Sequence, residues 1–152
     1  LNHDRKNEGE RSDRSGDLPG KEREQRKQHH PQIVERVSDM IEVTILQYLN
    51  SLELSATVYT EIPKTRPSKF FVLEKTGSSM DNHIMRSTFA IQSYAPSMYE
   101  AALMNEEIKA LMLNGLITLG EVARVDLNSD YNYTDTTTKT YRYQAVFDIV
   151  HY

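Results

Sequence analysis

The chain has 152 residues, enough for one domain with a real core, in which roughly 70% of the unfolded surface becomes buried. It carries 18 Lys+Arg against 22 Asp+Glu, a net charge of −4, and no cysteine, which excludes disulfide staples, thiolate metal sites and thiol nucleophiles and permits a reducing compartment. No apolar run approaches the ~20 residues of a membrane-spanning helix, and the N-terminus is charged where a signal peptide has an apolar core, so a soluble protein with no membrane partner is expected.

Charge is unevenly spread. Residues 1–32 hold 8 of the basic and 7 of the acidic residues, which leaves 10 basic and 15 acidic in the rest, a net of −5. An acidic domain lacks the basic footprint that releases counterions from nucleic acid, so tight wrapping of DNA or RNA is not expected. Within residues 1–32 only Leu1 and Leu18 are large and apolar, too few to offset the entropy of ordering the segment, and it reads as a disordered charged arm. Met40 is an alternative initiator, which would make the preceding residues a start-site or cloning extension. Order is expected from Ile33, giving a domain over 33–152.

In "IVERVSDMIEVTILQYLNSL" the residues Val37, Ile41, Ile45, Tyr48 and Leu52 recur every three or four positions, one face of an amphipathic helix that stops near Asn50 and Ser51. The short β-forming run "SATVYTEI" follows, then Pro63 and Pro67, which restrict φ and remove two backbone donors. The stretch "EIPKTRPSKFFVLEKTGSS" (61–79) reads as two short strands joined by a Pro-Arg-Pro turn and closed by a Gly-Ser-Ser turn, with Gly77 available for a positive φ. "HIMRSTFAIQSYA" is a longer strand; Ile84, Thr88, Ala90, Gln92 and Tyr94 share one parity, so both of its faces are expected to be partly covered.

The helix "APSMYEAALMNEEIKALML" carries a capping box, Ser97 with Glu100 three residues on, and Pro96 suits its start. Ala101, Met104, Ile108 and Leu111 form the stripe expected to face the sheet, with Asn105, Glu106 and Lys109 toward water. Spacing makes Met98, Met104 and Met112 core residues rather than a partner groove. "GEVARVDL" reads as a strand, "NSDYNYTDTTTK" as a polar loop, and "TYRYQAVFDIVHY" as a strand in which Tyr141, Tyr143, Ala145, Phe147 and Ile149 alternate with Arg142, Gln144, Val146, Asp148 and Val150, the two strands forming a hairpin. The order α-β-β-β-α-β-β predicts a single α+β domain with helices packed on one mainly antiparallel or mixed sheet.

Local chemistry is sparse. The phosphate-cradling, zinc-protease and esterase motifs are absent, and Gly77-Ser78-Ser79 is too short for a phosphate loop. Asp126, Asp130 and Asp135 lack the spacing and closing Glu of a calcium loop, and adjacent His29 and His30 have no carboxylate support for a metal. His83 and His151 are the candidate bases, each needing an oriented partner. Asn132-Tyr133-Thr134 is a glycosylation sequon without a secretory signal. Tyr131, Tyr133, Tyr141 and Tyr143 suit a base-stacking platform, or, on acidic ground, strand and interface packing. No catalytic residue, cofactor or metal is assigned; a small hydrolase or ligand-binding domain is the alternative from another class.

The stretch 61–79, followed by "AIQSYA", "PSMYEAALMNEEIKALM" and "YRYQAVFDIVHY", resembles the tail terminator (tail completion) proteins of long-tailed, non-contractile phages such as lambda. The resemblance spans about Met40 to Tyr152; family members often have a Gly pair where this chain has Gly77-Ser78, and Trp in place of Tyr94. It implies a small subunit that forms a hexameric ring, caps the finished tail tube, binds the tail-tube protein and offers a surface to the head-tail connector protein, in the virion and, during assembly, the host cytoplasm. A head-tail connector or adaptor is the neighbouring alternative. In a closed ring each subunit uses a heterologous contact, for which a turn of fixed backbone holding Arg66 is useful; the other reading of Pro63 and Pro67 is that they blunt an edge strand. Arg66, Pro67, Lys69, Tyr131 and Tyr133 are the residues expected at the subunit interface. An acidic ring would let DNA pass without specific binding.

Overall fold

The computed structural model describes residues 40–152. The expected arm over residues 1–32 and the start of the first helix at Ile33 lie outside the described residues. Helix α1 spans Ile41–Ser51 and buries Ile41, Ile45 and Leu49. Of the expected face, Ile41 and Ile45 hold and Tyr48 is half-buried. Leu52 drops out because the helix has already ended: its backbone is extended at φ −91° and ψ 159°, and Leu49 takes the inward position four residues after Ile45.

Strand β1 is two residues, Val58–Tyr59. Its outer side is held by the Asn50 side chain, whose Nδ2 donates to Val58 O at 3.0 Å while its Oδ1 accepts from Val58 N at 2.9 Å. The amide thus replaces a neighbouring strand, and ties the end of α1 to the sheet. Strand β2 (Phe70–Asp81) pairs with β1 in parallel, Val58 opposite Phe71, so the expected Pro-Arg-Pro hairpin is not formed. Parallel partners need a crossover rather than a tight turn. Residues 60–69 are that crossover, and Pro63 and Pro67 keep it out of helix by restricting both themselves and the residues before them.

The Gly-Ser-Ser turn is likewise overturned. Strand β2 runs on through Gly77 to Asp81, with a bulge between Lys75 and Gly77 and no glycine at positive φ. The chain reverses at Asn82 (φ 49°) and His83 (φ 64°) into β3 (Ile84–Ala95), a two-residue connection whose twist matches that of the strands. Asn and His are among the few non-glycine residues that tolerate this left-handed region. His83→Val, branched at Cβ, should therefore lower the unfolding free energy by about 1–2 kcal/mol in a urea titration, whereas His83→Gly should leave it level or raise it. Equal losses for both would mean that the imidazole, not the backbone, matters there.

Helix α2 spans Met98–Asn114 with Ser97 as its cap: Ser97 Oγ accepts from Glu100 N at 3.2 Å, the serine half of the capping box its sequence announces, while the Glu100 carboxylate accepts from the Ser97 hydroxyl at 2.9 Å instead of from the Ser97 backbone. A 3-10 turn, Leu116–Thr118, leads to β4 (Val122–Asn132), and β5 covers Tyr141–His151. The first part of the expected loop "NSDYNYTDTTTK", Asn128 to Asn132, is strand, because β5 offers β4 a ladder as far as Tyr143 opposite Asn132. Only the segment after Asn132 turns, closed by the bridge Asp135–Thr140.

The sheet order is β1-β2-β3-β5-β4, antiparallel except for β1 with β2. The protein is an α+β domain with a mixed sheet, as its pattern of elements predicts. Both helices lie on one face. There Phe71, Leu73, Phe89, Ile91, Phe147 and Ile149 pack under Ile45 and Leu49 of α1 and Ala101, Met104, Ile108 and Met112 of α2. Leu111 is only half-buried and Met112 replaces it; Met98 is 40% exposed and stands outside the core. Asn105, expected in water, is 1% exposed and donates to Asp130 Oδ2 at 3.0 Å. The helix is tight against the final turn as well: a Cβ on Gly115 would lie 2.8 Å from Leu111 O and against the Tyr48 hydroxyl.

Candidate functional site

The sheet's second face carries the unusual chemistry. Alternation along β3 and β5 places Ala90, Gln92 and Tyr94 opposite Val146, Gln144 and Arg142, away from the helices. At its upper end Phe70 stacks on Tyr94 with ring centroids 4.5 Å apart, and Tyr59 meets Phe70 edge-on at 6.3 Å. With Val72 these make a second small core. As the lack of clean alternation in β3 suggests, this strand is covered on both sides, from Phe89 onward.

Polar side chains cross this face in one chain of hydrogen bonds. Arg142 Nη1 donates to Tyr94 Oη (3.2 Å), Tyr94 Oη to Gln92 Oε1 (3.0 Å), Gln92 Nε2 to Gln144 Oε1 (2.9 Å), and Gln144 Nε2 to Tyr131 Oη. Every donor points the same way, so each bond polarises the next. Arg142 also donates from Nε to Tyr133 O at 2.7 Å, and its guanidinium carbon sits 4.3 Å from the Tyr133 ring centre, a cation–π contact. Tyr131 and Tyr133 meet edge-on at 5.9 Å. Arg142 is thereby fixed on two sides with one edge of its fork left over.

That edge opens into a groove of about 370 Å³ between the crossover and the β4–β5 turn. Ile62 and Arg66 line one wall, Asp135, Thr138 and Thr140 the other, with Tyr94 and Arg142 at the base. The turn wall is pre-ordered: Asp135 Oδ1 accepts from Thr137 N at 3.0 Å, and Thr138 Oγ1 lies 2.9 Å from Thr140 Oγ1. Hydrogen bonds from the Thr138 side chain, then from the Thr138 and Thr137 amides, hold the Asp135 carboxyl below the usual carboxylate range, helped by Arg142. A depressed pKa favours the fold above the unfolded value and loses that contribution as pH falls through the folded one. The Thr137 and Thr138 amide signals should accordingly titrate below the ordinary Asp range in NMR, and Thr138→Ala should move that midpoint upward; no movement would take Thr138 out of the turn's support.

Of the residues expected at an interface, Arg66 lines this groove, Tyr133 packs on Arg142 beside it, and Tyr131 stands further along the face, against Gln144 and Tyr133. Pro67 is exposed in the crossover. Lys69 points elsewhere, to Glu100 of α2 at 3.3 Å, and the Glu100 carboxyl is held below its usual range by the Ser97 hydroxyl first and by Lys69 second. Sequence reading missed Arg142, Tyr94 and the two glutamines. Their shared parity in β3 and β5 was visible, but strand partners are needed to see that it builds one network.

The three aspartates do not share a site. Asp126 pairs with Arg124 at 2.7 Å, Asp130 with Lys109 at 2.8 Å, and Asp135 closes its own turn. His83 sits in the β2–β3 turn. His151 lies on the helix side, 6% exposed, with Nε2 2.8 Å from Ser87 Oγ and Nδ1 3.3 Å from Tyr152 O. This pair has nucleophile–base geometry, but Ser87 is 1% exposed and has no room for a substrate. Tyr141 and Tyr143 share the parity of Phe147, so the four tyrosines divide between faces and form no single platform. Asn132 of the sequon donates to Met98 Sδ at 3.3 Å.

The geometry defines a class, a single-sheet α+β domain with a pre-ordered arginine and tyrosine groove on the face away from its helices. No family model matches the chain, and no curated protein matches its sequence.

Proposed function

We propose that this protein is a structural assembly subunit of the phage tail terminator kind, one that forms a ring, caps the completed tail tube and presents the surface that joins the head. The observation that carries this reading is a pair of unlike patches on opposite sides of the sheet. One is the groove holding Arg66 and Arg142. The other is the outer side of α2, where Tyr99 is 72% and Leu103 52% exposed. Self-complementary two-fold dimers reuse one patch, whereas head-to-tail rings need two different ones. The stretches at 61–79, 90–112 and 141–152 that resemble the terminators supply the α2 patch and, apart from the wall of Asp135, Thr138 and Thr140, the groove. Both sheet edges add fixed backbone: among the described residues nothing pairs with the outer side of β4, and β1 covers only Phe71 and Val72 of β2. Such edges can accept partner strands, although the bulges in β4 limit the usable length.

Negative-stain images of the purified protein, alone and mixed with tail tubes, test the proposal. Rings that collect at one end of the tubes are expected. Rings that bind heads and ignore tubes would favour the connector reading, and a dispersed monomer under both conditions would end both.

A further inference from the structure

Arg66 and Arg142 face a groove in which, among the described residues, neither has a carboxylate within ion-pair distance. Asp135 is the resident anion of that groove, and its charge is already engaged by its own turn. Two guanidinium groups against one carboxylate leave one positive charge to be balanced. A planar fork suits a carboxylate, and a phosphate is disfavoured where residues 33–152 are themselves net acidic.

The outer line of α2 offers the complement. Tyr99, Leu103, Glu106 and Ala110 are all exposed and are spaced four, three and four residues apart, so they lie on one stripe. Among the glutamates of that half of the helix, Glu100 is engaged by Ser97 and Lys69, and Glu107 by Ser55. Glu106 is the looser one: its side chain is 70% exposed and reaches only Lys109, which keeps Asp130 if Glu106 leaves. The sheet separates this stripe from the groove, so one molecule cannot join its own two patches.

Resting on the ring reading above, we infer that the α2 stripe of one copy seats in the groove of the next, with the Glu106 carboxylate between Arg66 and Arg142 and Leu103 and Tyr99 against Ile62, itself 41% exposed. The pairing is heterologous and repeats from subunit to subunit.

Charge reversal tests it on the full chain. Light scattering should show Arg66→Glu and Glu106→Arg each weakening self-association about tenfold or more, with unchanged far-UV circular dichroism, and the double reversal recovering most of the loss. Glu106→Gln, which leaves helix propensity almost untouched, should show the same direction and a smaller effect. Rings that persist in both single-reversal variants, or single losses that the double variant does not repair, would overturn the contact while leaving ring formation standing. A wild-type monomer at every concentration would overturn the ring and the contact together. Arg66→Glu that leaves the mass unchanged yet abolishes binding to a short DNA duplex would replace the neighbouring copy by a phosphate backbone, and so overturn the inference as well.

Discussion

Phe147→Ala is expected to lower the unfolding free energy by about 3–5 kcal/mol, a large part of the 5–15 kcal/mol that holds an ordinary domain together. Phe147 is fully buried in the middle of β5 and lies directly opposite Phe89, also fully buried, in β3. Both rings sit under the two helices in one cluster with Ile45, Ile108 and Met112. Truncation leaves a cavity that strands on both sides and helices above cannot all close, so transfer and cavity terms add. Urea unfolding of Phe147→Ala, with Asp126→Asn as a surface control expected within about 0.5 kcal/mol of the parent, measures it. A loss under about 1 kcal/mol would show that the helix layer collapses onto the gap, and would place the centre of the core elsewhere.

The second large effect is in the particle. If a terminator ring binds the end of a finished tube, it occupies the surface that further tube subunits need. Deleting the gene for this chain should then give overlong tails and filled heads without tails attached, and infectious particles should be lost. A connector bound to the head would instead leave tails of normal length, unattached. An enzyme would set neither geometry. Electron micrographs of the deletion lysate separate these outcomes, and complete particles in it would remove both assembly readings.

Several elements were legible from residue order because their determinants are local. The α2 cap needs only Ser97 and Glu100 three residues apart, and in space Ser97 caps the helix by accepting from Glu100 N, with the Glu100 carboxylate folded back onto the Ser97 hydroxyl. The alternation through Ala145, Phe147 and Ile149 gives β5 its buried side, since a strand's faces follow from a period of two. The absence of clean alternation in β3 likewise signals that both of its sides are covered. Of the residues that line the groove, Arg66 alone is singled out by residue type and position, as a cation between prolines.

What only the tertiary structure decided depends on partners far along the chain. Gly77 looks like a turn residue, but pairing with β3 keeps its strand going as far as Asp81 and moves the reversal to Asn82-His83. "NSDYNY" looks like loop until β5 supplies its ladder. Asn105 looks solvent-facing until Asp130, brought over α2 by β4, draws it inward. The groove is the same kind of fact: Tyr94, Arg142 and Tyr133 are distant or separated in sequence and meet through hydrogen bonds and stacking across strands. Residue order by itself determined the composition, the element types and the α+β class, because propensity, capping and periodicity act within a few residues. Register, the crossover that makes β1 parallel to β2, and the convergence of Arg66 with Arg142 were decided by long-range pairing, whose free energy belongs to strand partners as far apart as Met85 and His151 and leaves no local mark.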